Sequence, residues 1–327
     1  MCLIQDIHKD LAEDLAAMDA IIVTNLATRE ELVSIIGKYL IDAGGKRIRP
    51  LLTILSSKMF GYRGENHLKL AASVELIHAA TLLHDDVVDE STKRRFKPTA
   101  NVLWGSKASI LVGDFLFSRS FKLMVDTNSI EAMQSLSRAS SVIAEGEVAQ
   151  LVKLKEKRLI EVEEYYEVIT AKTAELFATA CEVGAIIANQ PLKNCKILWN
   201  FGIALGNIFQ IIDDLLDYFG CEDEIGKNIA DDFFEGKVTL PLILLCKKLQ
   251  SVELSQVTEM IQNNTRSSDD FVVIKTLLDQ YNIKEQVMVY ISSLKLDVYS
   301  WLQKIDLDNK YKTYLTNLVE FIIERSL

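Results

Sequence analysis

Leu76-Ile77-His78-Ala79-Ala80-Thr81-Leu82-Leu83-His84-Asp85-Asp86-Val87-Val88-Asp89 is an apolar run that ends in three acids, and Phe209-Gln210-Ile211-Ile212-Asp213-Asp214-Leu215-Leu216-Asp217 repeats the pattern. In a helix, residues four apart lie one above the other, so each D-D-x-x-D aims two carboxylates one way and sets the third off around the axis. Like charges so placed repel, and apolar flanks solvate them poorly, so the carboxylates need a cation. A hard, oxygen-seeking ion such as Mg²⁺ fits, because it takes one or two carboxylates together with substrate phosphates. Two such sets facing each other make a cage for a polyphosphate. A solvated helix face competes as a reading of either motif alone. It weakens for the pair, since both copies share one order and each interrupts an apolar helix. A carboxylate di-iron bundle requires Glu-x-x-His on two helices; Glu75-Leu76-Ile77-His78 is the only such tetrad, which excludes it.

The 327 residues suffice for one large domain or two ordinary ones, and 49% hydrophobic residues supply a sizeable core. Pro occurs only at 50, 98, 191 and 241, and Gly is absent after Gly236. A chain so poor in breakers, with apolar repeats at three and four residues, reads as all-α. No fixed-period repeat and no low-complexity linker divides it, so a single-domain helical bundle over residues 1–327 is expected. The net charge of −10 repels nucleic acid and anionic membrane surface alike. Anionic substrates therefore need metal and local basic groups at the site. Cysteines at 2, 181, 195, 221 and 246 form no C-x-x-C pair, which suits a reducing cytosol and neither a disulfide framework nor zinc. The apolar run 238–246 is too short to span a bilayer, and residues 1–19 carry acids throughout, unlike a signal peptide. A cytoplasmic location is the expectation.

Along the chain, residues 3–41 read as two helices broken near 24–28, with Thr28 as a cap and Glu31 three residues on. Residues 42–49 read as a loop, and Pro50 as the first residue of helix 50–60. Helix 66–90 carries the first acidic motif, and 91–98 is a basic loop. Helices follow at 100–126, 129–155, 161–189 and 193–219. After a charged loop over 221–236 comes an apolar helix at 238–249. Three or four amphipathic helices with a polar break at 262–270 complete the pattern.

Gly44-Gly45-Lys46-Arg47-Ile48-Arg49-Pro50 gathers three cations just before a helix start, where free N–H groups and the dipole already favour an anion. This reads as a phosphate site or as an exposed basic turn. Arg94-Arg95 follow the first acids closely, and arginine forks onto phosphate oxygens. Lys172-Thr173 interrupt an apolar helix, where an ammonium either faces solvent or meets an anion. Gln210, Asp213, Asp214 and Asp217 form one stripe at i, i+3, i+4 and i+7. His78 lies seven residues before Asp85 on the same face; a satisfied core histidine is the bland alternative. Lys227 and Lys237 each follow a Gly, which gives them mobile backbone over a bound phosphate.

Taken with Glu235-Gly236-Lys237-Val238-Thr239-Leu240-Pro241, these motifs resemble, in order and spacing over about 44–241, the trans-isoprenyl diphosphate synthases. Within that family the likeness is greatest to bacterial long-chain synthases of the octaprenyl type, which make quinone side chains. The resemblance implies an all-α fold with a central cavity, usually a homodimer, and head-to-tail condensation dependent on two or three Mg²⁺ ions. By position, Asp85, Asp86 and Asp89 would hold Mg²⁺ on the allylic diphosphate, with Asp213, Asp214 and Asp217 opposite. Lys46, Arg49, His78 and Arg95 would hold isopentenyl diphosphate. Arg94, Lys172, Thr173, Gln210, Lys227 and Lys237 would grip the allylic diphosphate or the departing pyrophosphate. The implied chemistry is ionisation of the allylic C–O bond, attack by the isopentenyl double bond and loss of a proton, in a pocket that excludes water.

Product length would be set below the first motif. Ala80 and Thr81, and Ile77 one turn deeper, stand where short-chain members carry aromatic rings; small side chains imply a long product. Met124 and Leu136 are candidate floors, and Ala80→Phe is expected to shorten the product. Close helix packing is the alternative use of such small residues. The chain departs from the family pattern twice, with Phe96 and Ala230 where Gly is usual, which bears on those two loops. A medium-chain (farnesyl or geranylgeranyl) synthase and a non-catalytic subunit of a heteromeric synthase are the alternatives; the latter lose the acidic motifs that this chain keeps. Terpene cyclases and head-to-head synthases have no use for the Gly-Gly-Lys-Arg-Ile-Arg-Pro loop. A long product made in the cytoplasm would pass to membrane enzymes.

Overall fold

Helix α5 (Asn66–Val88), which carries the first acidic motif, is buried on almost every side. That explains its lack of a one-sided apolar stripe: a helix enclosed by other helices has no solvent face to make polar. The computed structural model describes residues 3–42, 44–220, 229–263 and 265–324. In it, α5 lies against α2 (Ala12–Leu26), α4 (Ile48–Met59), α7 (Ser106–Val125) and α10 (Glu175–Ile187). The second enclosed helix, α10, runs between α4, α8 (Ile130–Glu156) and α11 (Leu192–Phe219), which carries the second acidic motif. On its other flank α11 meets α16 (Ile283–Gln303), and α17 (Lys310–Glu324) packs on α4 and on α1 (Leu3–Asp10). The all-α expectation holds. Helix α11 is long and apolar enough to cross a bilayer, yet 67% of that apolar window is buried inside the protein and its end carries three aspartates.

Several boundaries differ from the sequence reading. The N-terminal stretch breaks additionally at Leu11, giving three helices up to Asp42. Helix α4 begins at Ile48, so Pro50 stands inside the first turn, where its missing N–H has no helical partner to lose. Helix 100–126 divides at Gly105 into α6 (Ala100–Trp104) and α7. The basic loop is a two-residue antiparallel ribbon, with Lys93 opposite Pro98 and Arg94 opposite Lys97. Arg95 and Phe96 close it with φ of 51° and 64°, as a tight primed turn requires. Helix 161–189 contains a π-helical turn, Thr170–Ala174, between α9 (Val162–Ile169) and α10. That turn is pressed between Gly146 of α8 and Gly206 of α11; a Cβ on either would lie 2.8 Å or less from Ala171 or Ala174.

Candidate active site

The C-terminal end of α5, the π-turn and the C-terminal third of α11 converge on a cavity of about 380 Å³. Asp85, Asp89, Arg94 and Arg95 line it from one side, and Gln210, Asp213 and Asp214 from another. Lys172, Thr173 and Leu176 enter from the π-turn and α10; Asp231, Asp232, Glu235 and Lys237 come from α12 (Asp231–Glu235) and the strand of chain after it. The two acidic motifs therefore look into one space. Among the described residues, no three His, Cys, Asp or Glu side chains close around a common point.

Within each triplet one aspartate stands apart from the cavity wall. Asp86 is 1% exposed and absent from the cavity wall; its Oδ1 accepts from Arg94 Nε at 2.8 Å. One residue is 100° of helix, which turns Asp86 away from Asp85 and Asp89. Burial raises its pKa, opposed by the Arg94 guanidinium. Asp217 is fully buried and also absent from the wall. Its carbonyl accepts from Ala230 N at 2.9 Å and its Oδ2 from Asp232 N at 3.2 Å. It thus anchors the segment that presents Asp231 and Asp232. Ala230 takes a left-handed φ of 66°, so both departures from glycine fall on positions of positive φ.

Lys172 and Lys237 already have carboxylate partners in the cavity. Lys172 Nζ lies 2.8 Å from Glu147 and 3.8 Å from Asp85. Burial lowers its pKa, but Asp85 and Glu147 outweigh that and the net shift is upward. Lys237 Nζ lies 2.5 Å from Glu235, 3.1 Å from Asp89 and 3.6 Å from Asp232, which overcome the effect of burial and hold it charged. Burial raises the pKa of Asp85, with Lys172 opposing. Glu147 escaped the sequence reading, because its ion pair with Lys172 joins residues 25 apart on different helices.

The cations of the segment 44–50 divide three ways. Arg49 lines the cavity, stacks on Phe177 at 4.6 Å, and meets His78 Nε2 at 3.1 Å through Nη1. Burial lowers its pKa to about 10. Burial, then Arg49 and Arg95, push His78 well below its usual value, so it is a neutral acceptor. Arg47 pairs with Glu75 and, at 3.6 Å, Asp19; its neutralising partners are in the protein. Lys46 is exposed, 4.5 Å from the Phe321 ring and outside the cavity lining. Lys227 lies outside the described residues.

Three hydroxyls join the π-turn region to α11. Thr170 Oγ1 donates to Asn207 Oδ1 (3.1 Å), Thr173 Oγ1 to Gln210 Oε1 (2.7 Å) and Tyr165 Oη to Asp214 Oδ2 (2.6 Å). Of the chain-length candidates, Thr81 lines the cavity, whereas Ala80, Ile77, Met124 and Leu136 are closed into the core at 1% exposure or less. At the far end of α5, Asn66, Thr127, Ser135, Arg138 and Glu182 line a separate polar cavity. The nineteen residues from Asn66 to Asp85 put it roughly 29 Å from the acids.

Known proteins match this arrangement. The family model described as polyprenyl synthetase matches residues 30–278. Octaprenyl diphosphate synthase of Escherichia coli is 45% identical over 240 residues, covering 73% of this chain and 74% of that one. That of Haemophilus influenzae is 35% identical over 326 residues, 99% of this chain and 97% of its own. A polyprenyl synthase from Caulobacter crescentus, crystallised with calcium and isoprenyl diphosphate, superposes with a TM-score of 0.94 at 38% identity, covering 99% of this chain and 98% of that one. The chain belongs to the polyprenyl synthetase family and is a prenyltransferase.

Proposed function

We propose that this chain condenses isopentenyl diphosphate head-to-tail onto an allylic diphosphate, farnesyl or geranyl, in a Mg²⁺-dependent reaction. The product is a long all-trans polyprenyl diphosphate of octaprenyl length, a precursor of quinone side chains. The observation that carries this reading is the meeting of Asp85, Asp89 and Asp213 with Lys172, Lys237 and Arg94 in one cavity. Octaprenyl synthases among the relatives support the length. Asp85, Asp89 and Asp213 are the residues that would hold the metal; Asp86 and Asp217 act behind them. When bound, the ions neutralise the diphosphate and make it a better leaving group.

The chain's own groups do the rest. Incoming diphosphate oxygens draw Lys172 and Lys237 from their carboxylate partners, and these ammoniums then stabilise charge on the departing pyrophosphate. Arg49, Arg95 and neutral His78 hold isopentenyl diphosphate on the α4 side, with its double bond toward the allylic carbon. Leu176, Ile143 and Phe209 keep that carbon away from water. The proton released passes to pyrophosphate.

The 327 residues act as one helical domain, a reading supported by the packing of α17 on α1 and α4. A homodimer through α6–α8 fits the exposed Val102, Leu111, Ile130, Val148 and Val152. The location is cytoplasmic, with product handed to membrane enzymes. Purified protein, farnesyl diphosphate, labelled isopentenyl diphosphate and Mg²⁺, with product length read by chromatography, test the proposal. Octaprenyl product supports it; geranylgeranyl product favours a medium-chain synthase, and no incorporation under any metal removes it.

A further inference from the structure

Tyr165 reaches the catalytic machinery through its hydrogen bond to Asp214. It is 3% exposed, and its hydroxyl donates to Asp214 Oδ2 at 2.6 Å. The other oxygen of Asp214 accepts from Gln210 Nε2 at 2.7 Å, and Gln210 accepts in turn from Thr173. Asn207, Gln210 and Asp214 are spaced i, i+3, i+7, which aligns them on one face of α11. Opposite them stand Thr170, Thr173 and Tyr165, all from α9 and the π-turn that holds Lys172.

We infer that Tyr165 is a positioning residue for prenyl transfer: its hydroxyl fixes the Asp214 carboxylate and, through Gln210 and Thr173, holds the Lys172 turn in register with α11. The inference rests on the function proposed above. A buried phenol needs a partner for its O–H, but many acceptors would serve. This one is a carboxylate that shares its cavity with Lys172 and Lys237. Freed from the phenol, Asp214 can rotate toward those ammoniums and neutralise the charge that the diphosphate needs. A neutral donor such as tyrosine restrains the carboxylate and leaves the charge of the cavity unchanged; a lysine or arginine in its place would not.

Tyr165→Phe removes one oxygen and keeps the ring. A hydrogen bond to a charged group carries enough free energy that the expected fall in kcat is about 10–100-fold. The KM for isopentenyl diphosphate, held on the other side of the cavity, stays within about twofold of wild type, since those groups are untouched. Calorimetric titration with pyrophosphate and Mg²⁺, without turnover, shows weaker binding. In the double variant with Asp214→Asn, the loss is no greater than for Asp214→Asn alone. An unchanged kcat and pyrophosphate affinity, additive losses, or equal losses toward both substrates each overturn the inference. Should Tyr165→Phe fail to fold, Thr170→Val removes the Asn207 rung at the same interface and must give the same split between substrates. Wild-type protein that transfers no prenyl group would refute the proposed function; active wild type with an indifferent Tyr165→Phe refutes only this inference.

Discussion

Gly206→Ala adds one carbon where α11 crosses the π-turn. That Cβ would stand 2.5 Å from Ala174 Cα, 2.8 Å from Ala174 Cβ and 3.1 Å from Phe177 Cβ. Carbon atoms at ease sit about 3.5–4.0 Å apart, so the two segments must separate by roughly 1 Å. Ala174 Cα is backbone and cannot swing aside as a side-chain tip would. Overpacking of this kind destabilises by about 1–3 kcal/mol. The same 1 Å would stretch the 2.7 Å bond from Thr173 to Gln210 beyond hydrogen-bonding reach, a further loss of about 1 kcal/mol. The total, roughly 2–4 kcal/mol, should lower Tm by several degrees in thermal denaturation. The effect on rate should be larger, because a displacement of about 1 Å near a reacting centre is enough to reduce turnover about 100-fold. Wild-type Tm and wild-type incorporation of labelled isopentenyl diphosphate in Gly206→Ala would refute the claim that Lys172 is held by contact between the π-turn and α11.

Phe96→Gly should stabilise the protein by about 0.5–1 kcal/mol: the left-handed conformation opposes a Cβ by about 1–2 kcal/mol, offset in part by the freer unfolded chain. Tm should rise by a degree or two, and a fall would show that the exposed ring makes a contact of its own. Thr81→Phe projects a ring into the cavity wall and should shorten the product, whereas Ala80→Phe, at a site closed into the core, should lower Tm through overpacking of about 1–3 kcal/mol. Chromatography of products beside denaturation of both variants separates the two effects, and unchanged product from Thr81→Phe removes the wall assignment. His78, pushed down by burial and neighbouring arginines, stays neutral in the fold while the unfolded chain takes up a proton below about pH 6.5. Its contribution is therefore whole above that pH and declines as the pH falls, by up to about 1.4 kcal/mol per unit. The stability of His78→Gln should fall less steeply than wild type between pH 7 and pH 5; parallel curves would exclude the assignment.

Much of the site was legible because charge and helical period are local properties. Asp85 with Asp89 follows from a spacing of four alone, and so does the exile of Asp86. Asp217 defied the same rule, because the chain after α11 folds back over it and claims its oxygens. Lys46, Arg47 and Arg49 stand together in sequence, yet only Arg49 reaches the cavity; Glu75 and Asp19, from other helices, take Arg47. The Tyr165–Asp214 contact joins residues 49 apart, and no periodicity within either helix announces it. The π-turn is likewise invisible locally, since the glycines it packs against lie in two other helices.

By itself, then, the sequence determined that the chain is helical, which stretches carry acids and bases, and what kind of ligand they suit. Tertiary structure alone decided which of those groups share a cavity, which neutralise one another and which hold the others still. The division has one cause: a helix fixes the angle of every side chain about its own axis, but only the neighbouring helices determine which angle is inside.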